Sequence, residues 1–213
     1  MEAEHLLILA QWLSPAYPTG AFAWSHGLEA AVAMGLVADA AELEAWIGDL
    51  ITWGSGRSDA ILLGAAYRAE GAALAETADL ALALAPSSER LAETREQGAA
   101  FAAVTRSVWG LDVPDMALPV AVGRAASLAR LPLGPAVQLY LQGLGSAQVQ
   151  AALRLMPLGQ TSGQGVLRRL SPLCARVAEE SLTLTTDDIG GCAFGIDLAA
   201  MRHETLSSRI FRS

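Results

Sequence analysis

The sequence predicts an all-α protein, a single-domain bundle of roughly eight to ten helices. Apolar residues recur at helical spacing along most of the 213-residue chain, and the alternating apolar and polar runs typical of strands are nearly missing. Alanine, the strongest helix former, makes up about a fifth of the residues. Because one hydrophobic core can serve a chain of this length, we assign residues 1–213 to one helical domain.

In the first quarter of the chain, turn-forming and capping residues mark the expected helix boundaries. A first helix is expected over residues 4–13, because the residue before Pro15 is forced out of the helical conformation. A second is expected over residues 22–35. Asp39 with Glu42 three positions later resembles a capping box, so a third helix should follow and run through the next tryptophans.

The remaining helices are predicted from the same periodicity. The glycine-containing stretch GSGRSD, residues 54–59, is expected to interrupt the chain before them. Ser87 or Ser88 is a suitable N-cap, and Pro172 should kink or split the last long helix. The turn-rich residues 185–197 then lead to a short C-terminal tail, residues 198–213. The expected helices span residues 59–84, 88–109, 116–130, 134–156 (continuous, or broken near 143–145) and 161–184.

The charge balance excludes several classes of function. The chain has 14 arginines and no lysine against 22 acidic residues, a net charge of −8. Large contacts with nucleic acid phosphates or with anionic membranes are therefore not expected. Without lysine, the chain also lacks the amine that a Schiff base or a P-loop requires.

Three further features bear on compartment and redox state. Glu2 and Glu4 stand where a signal peptide carries positive charge, so we expect a cytoplasmic protein. Residues 131–153 carry no charge but contain two prolines and four glutamines, which favours a pair of buried helices over a membrane span. We expect both cysteines, Cys174 and Cys192, to be reduced thiols in the core.

The stretch PLGQTSGQG, residues 157–165, has glycine spacing similar to that of phosphate-binding loops. A P-loop needs a lysine and a preceding strand, and neither is expected here. We interpret the stretch as a joint between two helices: Gly159 ends the first with positive φ, and Thr161 or Ser162 caps the second. Gln160 and Gln164 either bond the adjacent helix ends, or line a polar path or bind a partner.

No catalytic residue, metal ligand or cofactor site is predicted. The three histidines are far apart in sequence, and no paired spacing typical of a metal site is present. Ser25 and His26 are neighbours, which on a helix directs them about 100° apart and prevents a nucleophile–base pair. The acidic pairs 179–180 and 187–188 are interpreted as solvated charges.

Three segments of the chain together resemble the UreF family of urease accessory proteins. The first is SPAYPTGAFAWSHGLEAAVAMG, residues 14–35. The second is VQAALRLMPLGQTSGQ, residues 149–164, and the third is MRHETLSSRIFRS, residues 201–213. Within the third, Leu206 and Ser207 depart from the glutamine and tyrosine that are common in the family. In the first segment the resemblance rests on Pro18, Gly20, Phe22, Ser25, Gly27, Leu28 and Glu29.

The resemblance implies an all-helical, non-enzymatic and homodimeric scaffold. Such a scaffold binds UreD, called UreH in some organisms, and recruits the GTPase UreG, and the assembly passes nickel to apo-urease. Two other hypotheses stay open. One is a small helical hydrolase or transferase whose acid and base come together only in the fold, which would need a pocket with at least two titratable groups of shifted pKa. The other is a helical adaptor unrelated to urease.

For the C-terminal tail, the resemblance implies docking into UreD. Phe211 would fill an apolar pocket of the partner, and Arg209 and Arg212 would make charge-assisted contacts around it. We expect a tail that is mobile alone and ordered when bound. The alternative is a terminus that folds back on its own domain. The residues assigned to UreD/UreH binding are His203, Glu204, Thr205, Ser208, Arg209, Ile210, Phe211 and Arg212.

For the N-terminal segment, the resemblance implies contact with UreG or with a second copy of the chain, and the alternative is a helix entry with core aromatics. Gly27 inside a helical run would cost about 1 kcal/mol relative to alanine, which indicates that another backbone packs closely there. Arg57 is the only loop arginine outside the tail that could serve as an arginine finger for UreG. The residues assigned to this contact are Tyr17, Pro18, Gly20, Phe22, Ser25, Gly27 and Glu29.

Overall fold

The computed structural model describes residues 3–213, so Glu2 of the acidic N-terminus lies outside the described residues. These residues form ten α-helices, two single-turn 3-10 helices at Ala21–Ala23 and Thr186–Asp188, and no strand. The prediction of an all-α bundle is confirmed. The α-helices are α1 (Ala3–Trp12), α2 (Leu28–Ala33), α3 (Ala40–Thr52), α4 (Ser55–Arg68), α5 (Gly71–Ala83), α6 (Ser88–Trp109), α7 (Leu118–Leu128), α8 (Leu133–Leu155), α9 (Gln160–Ser181) and α10 (Phe194–His203).

Helix α4 lies at the centre of the bundle. It packs most extensively against α7 and also contacts α3, α5, α8 and α9. The approach to α7 is close because Gly123 has no side chain: a Cβ there would overlap the backbone carbonyl of Leu63. The core is completed by an aromatic cluster in which Trp12 meets Phe101 and Trp109 edge to face at 5.7 and 5.5 Å between ring centroids.

Two predicted caps are confirmed. The Asp39 carboxylate accepts hydrogen bonds from the backbone N–H groups of Ala41 and Glu42 at the start of α3. Ser87 caps α6 by accepting from the N–H of Arg90. Both side chains satisfy donors that the first helical turn leaves unpaired, so local sequence was sufficient to place these starts.

The predicted helix over residues 59–84 is wrong, because the chain breaks into α4 and α5. Ala69 and Glu70 are extended, and Gly71 has φ +55°. The predicted break at residues 54–59 is present but shorter than predicted, since α3 ends at Thr52, Gly54 is extended and α4 begins at Ser55. A Cβ on Gly56 would lie 2.8 Å from Ile51 Cα, so this glycine allows α4 to start directly against the end of α3.

The predicted helix over residues 22–35 is only partly present. Residues 21–23 form one 3-10 turn and α2 covers Leu28–Ala33, whereas His26 and Gly27 between them have left-handed backbone, with φ 58° and 81°. The Ala23 carbonyl and the Ser25 N–H bond to the C-terminal tail instead of continuing a helix. A long-range partner therefore overrides the local helical preference.

Helix α9 starts one residue earlier than predicted and runs unbroken through Pro172. Its N-cap is Gly159, with φ −77° and ψ 152°, so the predicted positive φ at Gly159 and the predicted caps Thr161 and Ser162 are wrong. The uncharged stretch is the single long helix α8, not a pair of helices. Among the described helices, none has the length and hydropathy to cross a membrane.

The two cysteines differ in environment, and both are free thiols. Cys174 is buried as predicted, and burial raises its pKa to about 11. Cys192 is exposed, so its prediction as a core thiol is wrong. The glycines before it, Gly190 and Gly191, carry the chain over the surface beside the Trp53 carbonyl, and this leaves the thiol outside the core.

Candidate functional site

The C-terminal tail folds back on its own domain and interlocks with the N-terminal segment. The N–H of Arg212 donates to the Ala23 carbonyl at 2.9 Å, and the N–H of Ser25 donates to the Ser213 carbonyl at 2.8 Å. The Ser25 hydroxyl donates to the same Ser213 carbonyl. The structure therefore has the fold-back arrangement, and it brings two of the three family-like segments into direct contact.

Glu29 is the acceptor that holds the tail. One of its carboxylate oxygens accepts the Ile210 N–H at 2.6 Å; the other accepts the Phe211 N–H at 2.9 Å and lies 3.0 Å from His203 Nε2. Burial pushes the pKa of Glu29 up, but the hydrogen bonds from His203 and the two amides outweigh burial and hold it below its usual value. Glu29 is thus a buried anchor for the tail, whereas we expected a partner contact.

His203 connects this anchor to α6. Its side chain is fully buried, and its second ring nitrogen, Nδ1, lies 2.6 Å from a Glu89 carboxylate oxygen. The other Glu89 oxygen accepts from the Arg209 guanidinium at 2.5 Å. Glu204 turns away and caps the start of α6 by accepting from the N–H and hydroxyl of Ser88, both at 2.7 Å. His203 and Glu204, predicted as partner contacts, have roles within the chain.

Phe211 is buried against its own domain, so the pocket that we expected a partner to provide is provided by this chain. The Arg154 guanidinium lies 4.2 Å from the Phe211 ring centroid, and Arg212 lies at the same distance over Trp24. Arg212 also makes a bidentate contact with Glu96 at 2.6 and 2.8 Å. Ser208, Arg209, Ile210 and Arg212 keep exposed surface, and Leu206 packs against the core.

The predicted N-terminal residues divide into two groups. Tyr17 is buried, bonds to the Thr105 hydroxyl at 3.0 Å and packs on Phe101, in agreement with the alternative of core aromatics. Ser25 is also buried and is used by the tail. Pro18 is exposed, and Phe22 has 81% of its side-chain surface exposed. Of these four residues, only Pro18 and Phe22 are free for an external contact.

Gly27 marks the crossing of α10 over the start of α2. Its φ is 81°, and a Cβ would lie 2.8 Å from the backbone nitrogen of Ala200. The prediction that another backbone packs closely on Gly27 is confirmed. Gly27 was expected inside a helix, but it is the N-cap residue that precedes α2.

The central joint is a surface feature. Gly159, Gln160, Thr161 and Gln164 are all exposed, and no side-chain hydrogen bond of the two glutamines is found within residues 3–213. The interpretation that these amides satisfy helix ends is therefore wrong. Gln160 instead lies at a cavity beside the tail, as the alternative of a polar path would require.

Arg57, considered as an arginine finger, lies in the first turn of α4 and not in a loop. It pairs with Glu180 at 3.5 Å, and its side chain is 27% exposed. An arginine finger must reach a phosphate of another molecule, which here would require breaking this ion pair.

A cavity of about 600 Å³ lies beneath the interlocked ends. Aromatic side chains form much of its wall, and Arg154 and Gln160 also line it. Charged and polar groups reach it from α4, α6 and α8. The aromatic lining is Trp12, Phe22, Trp24, Phe101, Tyr140 and Phe211, and the ionisable groups among the other lining residues are His26, Asp59, Arg90, Glu93 and Arg154.

Sequence reasoning missed the ionisable groups of this cavity. Tyr140 donates to the Asp59 carboxylate at 2.8 Å, and burial raises the pKa of Asp59 to about 6 and that of Tyr140 well above its usual value. Burial pushes the pKa of Glu93 up, but Arg90 and His26 together outweigh burial and lower it. The helical spacing of the sequence does indicate buried charge here. Arg90, Glu93 and Gln97 share one helical face with the apolar Phe101, so a face that packs into the core must carry these polar side chains with it.

His26 lies in the same polar group. Its Nε2 is 2.7 Å from the Ser55 hydroxyl and its Nδ1 is 3.5 Å from Glu93, while burial and the nearby Arg90 lower its pKa. The Ser213 hydroxyl donates to Glu93 at 2.7 Å, so the tail reaches this cluster too. Within the described residues, no group of three or more His, Cys, Asp or Glu side chains is arranged to hold a metal ion.

Comparison with known proteins gives one consistent result. The family model described as UreF matches residues 37–171. Urease accessory protein UreF of Cereibacter sphaeroides strain ATCC 17025 is 52% identical over 208 residues, covering 98% of both chains. The proteins of the same name from Ruegeria pomeroyi and Roseobacter denitrificans are 49% identical over 211 residues and 44% identical over 213 residues, covering 99% and 100% of this chain and 97% and 96% of theirs.

Proposed function

The chain belongs to the UreF family of urease accessory proteins, and from this premise we propose that it is a non-enzymatic scaffold in urease maturation. In this proposal the chain, as a homodimer in the cytoplasm, binds UreD/UreH and recruits UreG, and the assembly delivers nickel to apo-urease with GTP hydrolysis by UreG. The observation that carries the proposal is the interlocked pair of chain ends. Family-specific residues there are held in a fixed conformation with part of their surface exposed.

Docking of UreD/UreH is assigned to the outer face of the tail and α10. Ile210 is 59% exposed although both of its neighbours are anchored, so the tail presents an apolar side chain from a rigid backbone. On α10, Phe194, Leu198 and Met201 are exposed at helical spacing and form an apolar stripe. Apolar side chains flanked by arginines are typical of the central part of protein interfaces.

Contact with UreG or with a second copy is assigned to the exposed part of the N-terminal segment. Pro18 and Phe22 lie on the surface, and the Arg154 guanidinium bonds to the Phe22 carbonyl at 2.9 Å while it covers the Phe211 ring. The positions of Phe22 and of the tail are thus linked through one side chain. This linkage supports a scaffold on which the two partners bind adjacent surfaces.

The test is capture of purified UreD by the full chain and by two exposed apolar variants. Ile210→Asp should reduce capture by at least about tenfold, because it puts a charge in the centre of the proposed interface. Val108→Asp is the matched control, since Val108 is equally exposed, at 62%, but lies on α6. Equal capture by the wild-type chain and Ile210→Asp would exclude the tail face as the docking surface.

One arrangement favours the hydrolase hypothesis as a second candidate. The Ser55 hydroxyl, His26 and Glu93 are connected in the order of a serine–histidine–acid triad, with Ser55 at the N-terminus of α4. The distance of 3.5 Å from His26 to Glu93 and the engagement of Glu93 by Arg90 weaken this reading. Labelling with a fluorophosphonate tests the hydrolase hypothesis. Modification that Ser55→Ala abolishes would support a hydrolase, and the absence of modification in the wild-type chain would exclude it.

A further inference from the structure

The hydrogen bonds around His203 require an additional proton at this buried site. Both ring nitrogens face carboxylate oxygens, Nδ1 that of Glu89 at 2.6 Å and Nε2 that of Glu29 at 3.0 Å. A neutral imidazole carries one N–H and can donate to only one of them. Its other nitrogen would then direct a lone pair at a carboxylate lone pair with no water between them.

The proton cannot be carried equally well by either glutamate. Glu29 accepts two backbone N–H groups, and these hydrogen bonds favour its ionised form and help to hold its pKa below the usual value. Glu89 is paired with the guanidinium of Arg209, which favours its ionised form. His203 is the remaining group that can hold the proton and donate in both directions.

We propose that the imidazolium of His203 is a latch that holds tail residues 209–211 against α2 and α6. With the proton in place, Glu29 and Glu89 keep their charges in a buried site and bind the tail through the Ile210 and Phe211 amides and the Arg209 side chain. Loss of the proton removes one of the two histidine bonds and brings the two carboxylates into repulsion. The tail is then released.

The charge balance of the site supports the latch. The charged groups that contact His203 or its two carboxylates are Glu29 from α2, Glu89 from α6 and Arg209 from the tail. Beside His203, Arg202 on α10 is exposed, and Glu204, which follows α10, is turned towards Ser88. Two carboxylates, one guanidinium and one imidazolium sum to zero, whereas the deprotonated site would bury a net negative charge.

The latch is a property of the chain alone, so it goes beyond the proposed function and does not depend on which partner the tail binds. A failure of UreD capture would leave it untouched. Conversely, a neutral His203 would overturn the latch without affecting the assignment of the chain to urease maturation. The two proposals therefore have separate tests.

The direct test is nitrogen-15 NMR of the full chain, with the His203 signals assigned by their loss in His203→Gln. At pH 7 both ring nitrogens should have the chemical shifts of protonated nitrogens. As pH is raised through the deprotonation of His203, hydrogen-exchange protection of the Ile210 and Phe211 amides should fall by about tenfold or more. A neutral tautomer at pH 7, or protection that survives deprotonation, would overturn the latch.

Variants separate the latch from a purely structural role of the histidine. Glu89→Gln removes one of the two carboxylates and should shift the midpoint of His203 deprotonation to lower pH. Trypsin cleavage after Arg209 should accelerate at least about tenfold in His203→Gln. Glu96→Gln, which breaks the exposed ion pair of the same tail, should change neither readout by more than about twofold. An unchanged deprotonation midpoint in Glu89→Gln would contradict the proposal even if His203→Gln failed to fold.

Discussion

The interlocked chain ends and the central joint both carry residues that resemble signatures of one family, yet their structural environments are opposite. At the ends, Ser25, Glu29 and His203 are buried and make hydrogen bonds across more than 170 residues of sequence. At the joint, Gln160 and Gln164 are exposed side chains near the start of a helix. The interlocked ends build the fold, and the joint leaves these two side chains available.

These opposite environments show that a family motif is not in itself a contact surface. A motif residue that is buried and bonded within the chain acts on partners only through the surface that it supports. A motif residue that is exposed and without such bonds has no folding role that explains its presence. Matched substitutions at the two regions test this distinction.

The largest effect is expected from a pair of glycine substitutions. Gly27→Ala should destabilise the protein by about 4 kcal/mol or more, because it combines a left-handed backbone with a Cβ that would lie 2.8 Å from Ala200 N. Gly159→Ala should change stability by less than about 0.5 kcal/mol, since φ is negative and nothing lies within 4 Å. Urea unfolding measures both. Similar losses in the two variants would contradict the distinction between the regions.

The next largest effect separates the two phenylalanines of the interlocked ends. Phe211→Ala should cost about 3 kcal/mol, because Phe211 is only 5% exposed and lies under Arg154. Phe22→Ala should cost less than about 0.5 kcal/mol, since that side chain is 81% exposed. Thermal and urea unfolding of both variants give the comparison. A large loss in Phe22→Ala would show that the exposed part of the N-terminal segment also supports the fold.

Acid should loosen the tail but not the joint. The pKa of Glu29 is held below its usual value of 4.5, so its stabilisation is complete above that pH and is lost as pH falls through the folded-state pKa. Exchange protection of the Ile210 and Phe211 amides should therefore fall by about tenfold or more below pH 4.5. The Gly163 amide, bonded to the Gly159 carbonyl, is the internal control. Equal loss at all three amides would indicate global unfolding instead.

The smallest effect on stability is expected at the joint itself. Gln164→Ala should alter the free energy of unfolding by less than about 0.5 kcal/mol, because its side chain is exposed. If the joint contacts a partner, the same variant should reduce capture of UreG by the UreD complex several-fold. A stability change above about 1 kcal/mol would show that the joint, like the ends, has a folding role.

Much of the fold could be predicted because it follows from local rules. Periodicity placed most helices, and Asp39 and Ser87 fixed helix starts through hydrogen bonds to their own first turns. Gly27 could be identified from the sequence because a glycine in a helical run is less stable than alanine, which indicates that the absence of a side chain is needed there. The expectation of a close backbone was correct, although its partner, Ala200, could not be named from sequence.

The parts that could not be predicted depend on distant partners. The chain leaves the helical pattern at residues 23–25 because the Ala23 carbonyl and the Ser25 N–H bond to residues 212–213, a pairing that no local window contains. Glycines at 54 and 56 look like a break but permit contact between α3 and α4. The burial of Arg90 and Glu93 could have been inferred from their position on the Phe101 face of α6, but their coupling to His26 and Ser213 could not.

The pairing of Ser25 with Ser213 also has a consequence for synthesis on the ribosome. These residues are 188 positions apart, so at a translation rate of about 5–20 residues per second Ser213 is added about 10–40 s after Ser25. During this time Glu29 and Ser25 have no tail to bind. A nascent chain without residues 210–213 leaves Ser25 and Glu29 without these hydrogen-bond partners, so the loss of residues made late changes a segment that was made early.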